Sequence, residues 1–165
     1  MKKICLAAAL LLTVTAFAQK SEVQPVYRNV GCVLPPLRLV DTTLKVYTED
    51  DFKNNNHLFL FLFNPTCGHC IEMAKLMGKN IEVFKKSTVV FMAGAAMMPY
   101  MNSFYQATGI DKYPQIKVGI DSSGAVDKLY GYQTLPQINI YDKNRKLVKM
   151  FSGDTPLEAL KQYAP

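Results

Sequence analysis

From Leu58 to Phe63 every position is apolar, LFLFLF, and the run stops at Asn64-Pro65-Thr66. A run of this length without polar alternation predicts a strand covered on both faces. Thr88–Ala93 predicts a second such strand. Beyond Thr66 the period changes. Ile71, Ala74, Leu76, Met77, Ile81 and Phe84 recur at helical spacing and predict a helix over about 67–86, with Gly78 as its point of kinking or interruption. Upstream, Leu37–Val40 alternates after Pro35-Pro36 and predicts a short strand at a sheet edge, because proline donates nothing to a ladder. Thr48 followed by Glu49-Asp50-Asp51 predicts a short helix capped by Thr48 and ended by Asn54-Asn55-Asn56, with His57 in the loop before the next strand. Downstream the pattern predicts a loop over 94–99, a helix over 100–108 closed by Gly109, and a strand over 116–120. A short helix, Gly124–Tyr130, follows a Ser122-Ser123 cap. The remainder reads as a strand at 137–141, a turn at 142–145, a strand at 147–151 and a helix at 157–163. Asp154 or Thr155 is expected to cap that last helix, with Pro156 in its first turn. Alternating strands and helices closed by a hairpin predict an α/β fold with a mixed central sheet flanked by helices.

The first residues change the picture. Met1-Lys2-Lys3 precedes an apolar run, Ile4–Phe17, ending in Ala16-Phe17-Ala18. This is the three-part pattern of a secretory signal. The run of about 14 residues is shorter than the ~20 that span a bilayer. The expected organisation is a signal peptide over 1–18, an N-terminal tail over 19–32 and a single domain over 33–165, exported to a bacterial periplasm. Loss of Lys2 and Lys3 lowers the net charge from +6 to +4. The remaining basic residues form no stripe interleaved with aromatics, so nucleic acid is not an expected partner.

Export also changes what the cysteines mean, because disulfides persist outside the cytosol. Cys5 leaves with the leader, and Cys32, Cys67 and Cys70 remain. Cys32 reads either as a small apolar residue at a strand start or as a thiol that pairs with another molecule. Cys67 and Cys70 form a C-x-x-C pair at the junction of a buried strand and a helix. The unpaired N–H groups and dipole of a helix N-terminus favour a thiolate at Cys67, and Cys70 lies one turn on, where a disulfide can close. The expected chemistry is thiol–disulfide exchange, with no cofactor and no resident metal. His69, between the cysteines, is expected to tune the pair toward the reduced form, and with it Gly68. The alternative is a metal-binding module or metallochaperone holding a soft ion such as Cu(I) at Cys67 and Cys70, for which Met92, Met97 and Met98 are the supporting residues. Pro136 stands before a strand where its missing donor would weaken the ladder; a cis Leu135–Pro136 bond would account for it.

FLFNPTCGHC (Phe61–Cys70), YPQIKVGID (Tyr113–Asp121) and GAVDKLYGYQTLPQINIYDKNRKLVKMFSG (Gly124–Gly153) together resemble the exported thioredoxin-like proteins of the TlpA/ResA kind. The resemblance covers roughly Val33 to Tyr163. It implies a thioredoxin-like fold with a strand–helix insertion around Met97–Asp121, before a cis-proline strand. It implies Cys67 as nucleophile, Cys70 as resolving thiol, a redox-active Cys67–Cys70 disulfide, and Thr66, Leu135 and Pro136 as the substrate-binding edge. Expected partners are protein disulfides or dithiols and a membrane or periplasmic redox partner, met by a monomer. The Gly68-His69 dipeptide is similar to that of protein disulfide isomerase and implies a potential nearer about −180 mV than the about −270 mV of thioredoxin. The chain departs from the family at Thr66, where Trp is usual. It departs again at Phe61 and Met73, where thioredoxin and ResA-type proteins carry a carboxylate. Cys70 is therefore expected to use water or Glu72 as its base.

Overall fold

A computed structural model describes residues 27–132 and 134–165. The predicted leader and the first part of the tail lie outside the described residues. Strands β1 (Arg38–Val40), β2 (Val46–Thr48), β3 (His57–Phe63), β4 (Ser87–Ala93), β5 (Ile116–Asp121), β6 (Gln137–Tyr141) and β7 (Leu147–Ser152) alternate with helices α1 (Gly68–Lys79), α2 (Met101–Thr108), α3 (Val126–Leu129) and α4 (Leu157–Lys161). The described strands form one mixed sheet in the order β2-β1-β5-β4-β3-β6-β7. β3, β4 and β5 run parallel, and β6 lies antiparallel to β3. This is the expected α/β fold, with α2 and β5 supplying the insertion before β6.

The LFLFLF run occupies the middle of the sheet and is at most 3% exposed. Its alternation sorts the core. Phe59, Phe61 and Phe63 join the larger cluster with Met73, Ala74 and Met77 of α1 and Phe104 of α2. Leu58, Leu60 and Leu62 face the other way, into a cluster with Leu39, Phe52, Tyr130 and Tyr141. A period of two puts alternate residues on opposite faces.

Several boundaries differ from expectation. β1 is not the sheet edge: it lies between β2 and β5, because Pro35 and Pro36 precede the strand and leave its own donors free. Thr48 stands at the expected cap position, with its N–H donating to the Asp51 carboxylate at 2.7 Å, but the turn it opens, Glu49–Phe52, is 3₁₀. His57 begins β3, with its Nδ1 2.8 Å from the Tyr163 carbonyl. The helix expected over 67–86 ends at Lys79, where the Asn80 side chain donates to the Leu76 carbonyl at 2.8 Å, and Ile81–Phe84 continues as a 3₁₀ turn. Gly78 does not break it; it is buried beneath the Tyr113 ring. The loop expected over 94–99 is a 3₁₀ turn, Ala95–Tyr100. Gly109 closes α2 at φ 63°, in the left-handed region glycine tolerates. The helix expected over 124–130 shrinks to α3. At α4 the N-cap is Pro156, without a side-chain capping bond, so neither Asp154 nor Thr155 caps it.

Candidate active site

The site forms where β3 runs out. The Asn64 side-chain Oδ1 accepts from both the backbone N–H and the hydroxyl of Thr66, each at 2.9 Å. The Asn64 carbonyl accepts the Cys67 N–H at 3.0 Å, and the Cys67 carbonyl accepts the Ile71 N–H at 3.0 Å. Asn64-Pro65-Thr66 therefore turns the chain within three residues and seats Cys67 as the N-cap of α1, in extended conformation (φ −84°, ψ 124°). Gly68 and His69 are exposed in the first turn, Cys67 is half-buried, and Cys70 is wholly buried.

Cys67 and Cys70 stand as free thiols. The neighbouring Cys67 favours the protonated Cys70. Burial is the main cause that pushes the Cys70 thiol up to about 12; the Asn64 backbone N–H opposes it, and the charges of Cys67 and Asp154 reinforce it. The pair thus has one sulfur at the helix mouth and one held beneath it as a thiol.

The structure also accounts for the missing carboxylates. Phe61 is 0% exposed and stacks on Phe91 with centroids 4.4 Å apart and planes 4° apart. Met73 is buried in the same cluster. Glu72, a candidate base for Cys70, is exposed and bound to Lys75 at 2.8 Å, which holds its carboxylate below the usual range. The carboxylate whose charge does reach Cys70 is Asp154, which binds His69: Nδ1 and Oδ1 lie 2.9 Å apart. Sequence reasoning placed Asp154 at a helix cap. Nothing local in the sequence joins it to His69.

The Leu135–Pro136 bond is cis. Register pairs Gln137 with Leu62, which brings half-buried Leu135 and buried Pro136 alongside the end of β3. Leu135 and Asn64 line one cavity of about 270 Å³ together with Asp121 and Met97. Thr66 is exposed on the turn before Cys67. Of the methionines named for a soft-metal site, Met92 is core and Met97 and Met98 pack against the larger cluster. Cys32 is half-buried, with its carbonyl accepting the Leu147 N–H at 2.8 Å.

A parallel–antiparallel sheet carrying a C-x-x-C pair at a helix mouth beside a cis-proline defines a thioredoxin-like thiol–disulfide oxidoreductase. The solved structures agree on the fold. The thioredoxin domain of a thiol-disulfide oxidoreductase from Bacteroides vulgatus superposes with a TM-score of 0.67 at 16% identity, over 83% of this chain and 99% of that one. An exposed lipoprotein thioredoxin from Streptococcus pneumoniae superposes with a TM-score of 0.61 at 22% identity, over 78% of this chain and 96% of that one. No family model matches the chain. In sequence it is 27% identical over 164 residues to the thiol-disulfide oxidoreductase ResA of Geobacillus thermodenitrificans, spanning 97% of this chain and 88% of that protein. Within the thioredoxin-like oxidoreductases, the chain is similar to the ResA type.

Proposed function

We propose that the protein is exported and exchanges disulfides with protein substrates through Cys67 and Cys70. The observation that carries this reading is a half-buried Cys67 thiol at the mouth of α1 with a wholly buried Cys70 one turn on, its thiol held protonated by burial. The Cys67 thiolate attacks one sulfur of a substrate disulfide, and the other substrate sulfur leaves as a thiolate and is protonated. Cys70 then loses its proton and attacks Cys67. The Cys67–substrate bond breaks, and the pair is left as a disulfide, two electrons having passed to the substrate. Run backwards, the same steps oxidise a dithiol.

Leu135 and Pro136 form the edge on which an extended substrate segment pairs, with Thr66 at its other side. His69 and Gly68 set the poise of the pair. Export rests on the leader read at 1–18, and the redox partner that resets the site is a membrane or periplasmic thiol protein.

Trapping tests this reading. Cys70→Ser, expressed in the exporting host, should accumulate disulfide-linked adducts that dithiothreitol releases and that disappear when Cys67 is also replaced. A Cys70→Ser protein that collects no adducts, or collects them equally without Cys67, would overturn it.

A further inference from the structure

Past the carboxyl ends of β3, β4 and β5, three neighbouring parallel strands, lies the cavity of about 270 Å³ that Leu135 and Asn64 share. Crevices in this position are where α/β sheets take up ligands. Its place ties it to exchange. Leu135 belongs to the edge assigned to the substrate, and the Asn64 carbonyl helps to seat Cys67. Phe63, Met97 and Leu135 give it apolar walls, and Gly94, Ala95 and Ala96 border it without filling it. The volume lies just below the roughly 300–1,000 Å³ of small-molecule sites and suits a single side chain. The charged residue in its lining is Asp121, at the end of β5 and only 3% exposed. Ile116, Val118 and Ile120 face the larger core cluster, so the period of two turns Asp121 to the other face of the sheet. That is the face of Tyr132, which packs on the second cluster and also lines the cavity. Asp121 Oδ1 accepts from the Ser123 N–H at 2.9 Å and from the Ser123 hydroxyl. These neutral donors orient the carboxylate without cancelling its charge. No described residue lining the cavity is basic. A nearly buried carboxylate in an apolar-walled cavity matches lysine and arginine, whose aliphatic stems lie along apolar surface while their heads carry charge.

We propose that this cavity is a substrate subsite in which Asp121 selects a lysine or arginine close in sequence to the cysteine that Cys67 attacks. This deepens the exchange reading and rests on it. The aliphatic stem of the incoming side chain lies among Phe63, Met97 and Leu135, and its cationic head donates to the Asp121 carboxylate. Gly94, Ala95 and Ala96 leave room for the stem, which a larger side chain in this turn would take. Ala95 and Ala96 are exposed, so their small size is not demanded by the core. Asp121 takes no part in the transfer of electrons; it sets which substrate segment is held. The chain is basic overall, with a net charge of +6, which opposes cationic substrates. A preference for lysine therefore reports a local carboxylate.

The test uses the reduced protein, in a Cys32→Ser background, and short peptides whose single cysteine is joined to thionitrobenzoate. Attack by Cys67 on the peptide sulfur releases thionitrobenzoate, whose absorbance gives the second-order rate constant. Each constant is divided by that of the same peptide with dithiothreitol, which removes the peptide's own reactivity. Lysine, norleucine or glutamate is placed at each position within two residues of the cysteine in turn. At one of these positions lysine is expected to react roughly tenfold or more faster than norleucine, the fold-change of one hydrogen bond to a charged group, and glutamate more slowly than either. Asp121→Asn should bring the lysine-to-norleucine ratio close to one. Ala96→Phe, which fills the cavity from its exposed side, should do the same, and decides the matter if Asp121→Asn does not fold. A ratio near one at every position in the parent protein, or a ratio that survives in folded Asp121→Asn or in Ala96→Phe, would overturn the proposal while leaving exchange intact. A parent protein that releases thionitrobenzoate from no peptide, or releases it equally with Cys67→Ser, would overturn the exchange reading itself.

Discussion

Cys70 carries its proton into a place that water does not reach, and base exposes the consequence. The folded protein holds this proton to about 12, whereas an unfolded chain releases it near 9.0. Between those values the folded state binds the extra proton, so stability is fully present below the lower value and falls as pH rises toward the upper one. Tyr130 and Tyr141 are also lifted by burial, but they titrate in either redox state. The difference between reduced and oxidised protein isolates the thiol pair, of which Cys70 is the member that burial lifts. Urea unfolding at about pH 8 and about pH 10.5 should show the reduced form losing more stability than the oxidised form; equal losses would mean that Cys70 ionises without penalty. At this scale the thiol pair was legible in the sequence, as were the apolar substitutions at Phe61 and Met73, because each depends on spacing along one strand or one helix. The Asp154–His69 contact was not. It depends on where β7 delivers its end, and on Pro156 occupying the N-cap position, which frees Asp154 for the ring.

Among the elements, α1 shows how a glycine can be misread. Gly78 sits within the helix, and a Cβ there would come 2.5 Å from the Tyr113 ring. The residue is small so that the segment leading into β5 can lie across α1, not so that the helix can bend. Gly78→Ala gains helix propensity yet forces the ring outward, and should cost about 1–3 kcal/mol as an overpacking change. Chemical denaturation would register the loss; an unchanged or higher midpoint would show that Tyr113 yields freely. The helix end was equally hard to read, because the apolar period carries on through Ile81 and Phe84 into a 3₁₀ turn while Asn80 closes the α-helical ladder. β2 escaped notice altogether: three residues, two of them only half-buried, leave no periodic signal.

Over the whole molecule, the strands and helices read from hydrophobic periodicity assemble in an order set by contacts remote in sequence. Arg145, at φ 59°, is one of these. Its guanidinium donates to the Asn56 carbonyl at 2.7 Å, to the Asn54 side chain at 3.1 Å and to the Phe52 carbonyl, tying the β6–β7 turn to the segment that enters β3. Burial lowers its affinity for a proton without removing the charge. Arg145→Ala leaves these acceptors without their donor and should cost about 2 kcal/mol, the scale of hydrogen bonds to a charged group. A thermal melt within a degree or so of wild type would show the clamp to be dispensable. Nothing in the sequence marks this arginine among 19 basic residues.

The pairing of Gln137 with Ser152 has a consequence for inheritance. Gly153 donates to the Pro136 carbonyl at 2.8 Å, so Pro136 and Asp154 sit at one end of a single hairpin, spaced by its register. The substrate edge and the partner of His69 therefore travel as one cassette. An exchange of the whole hairpin between related chains carries both parts together. A crossover inside its turn that adds or removes one residue inverts the faces of one strand and parts them. Recombination among such genes should respect the two ends of this hairpin and avoid its middle.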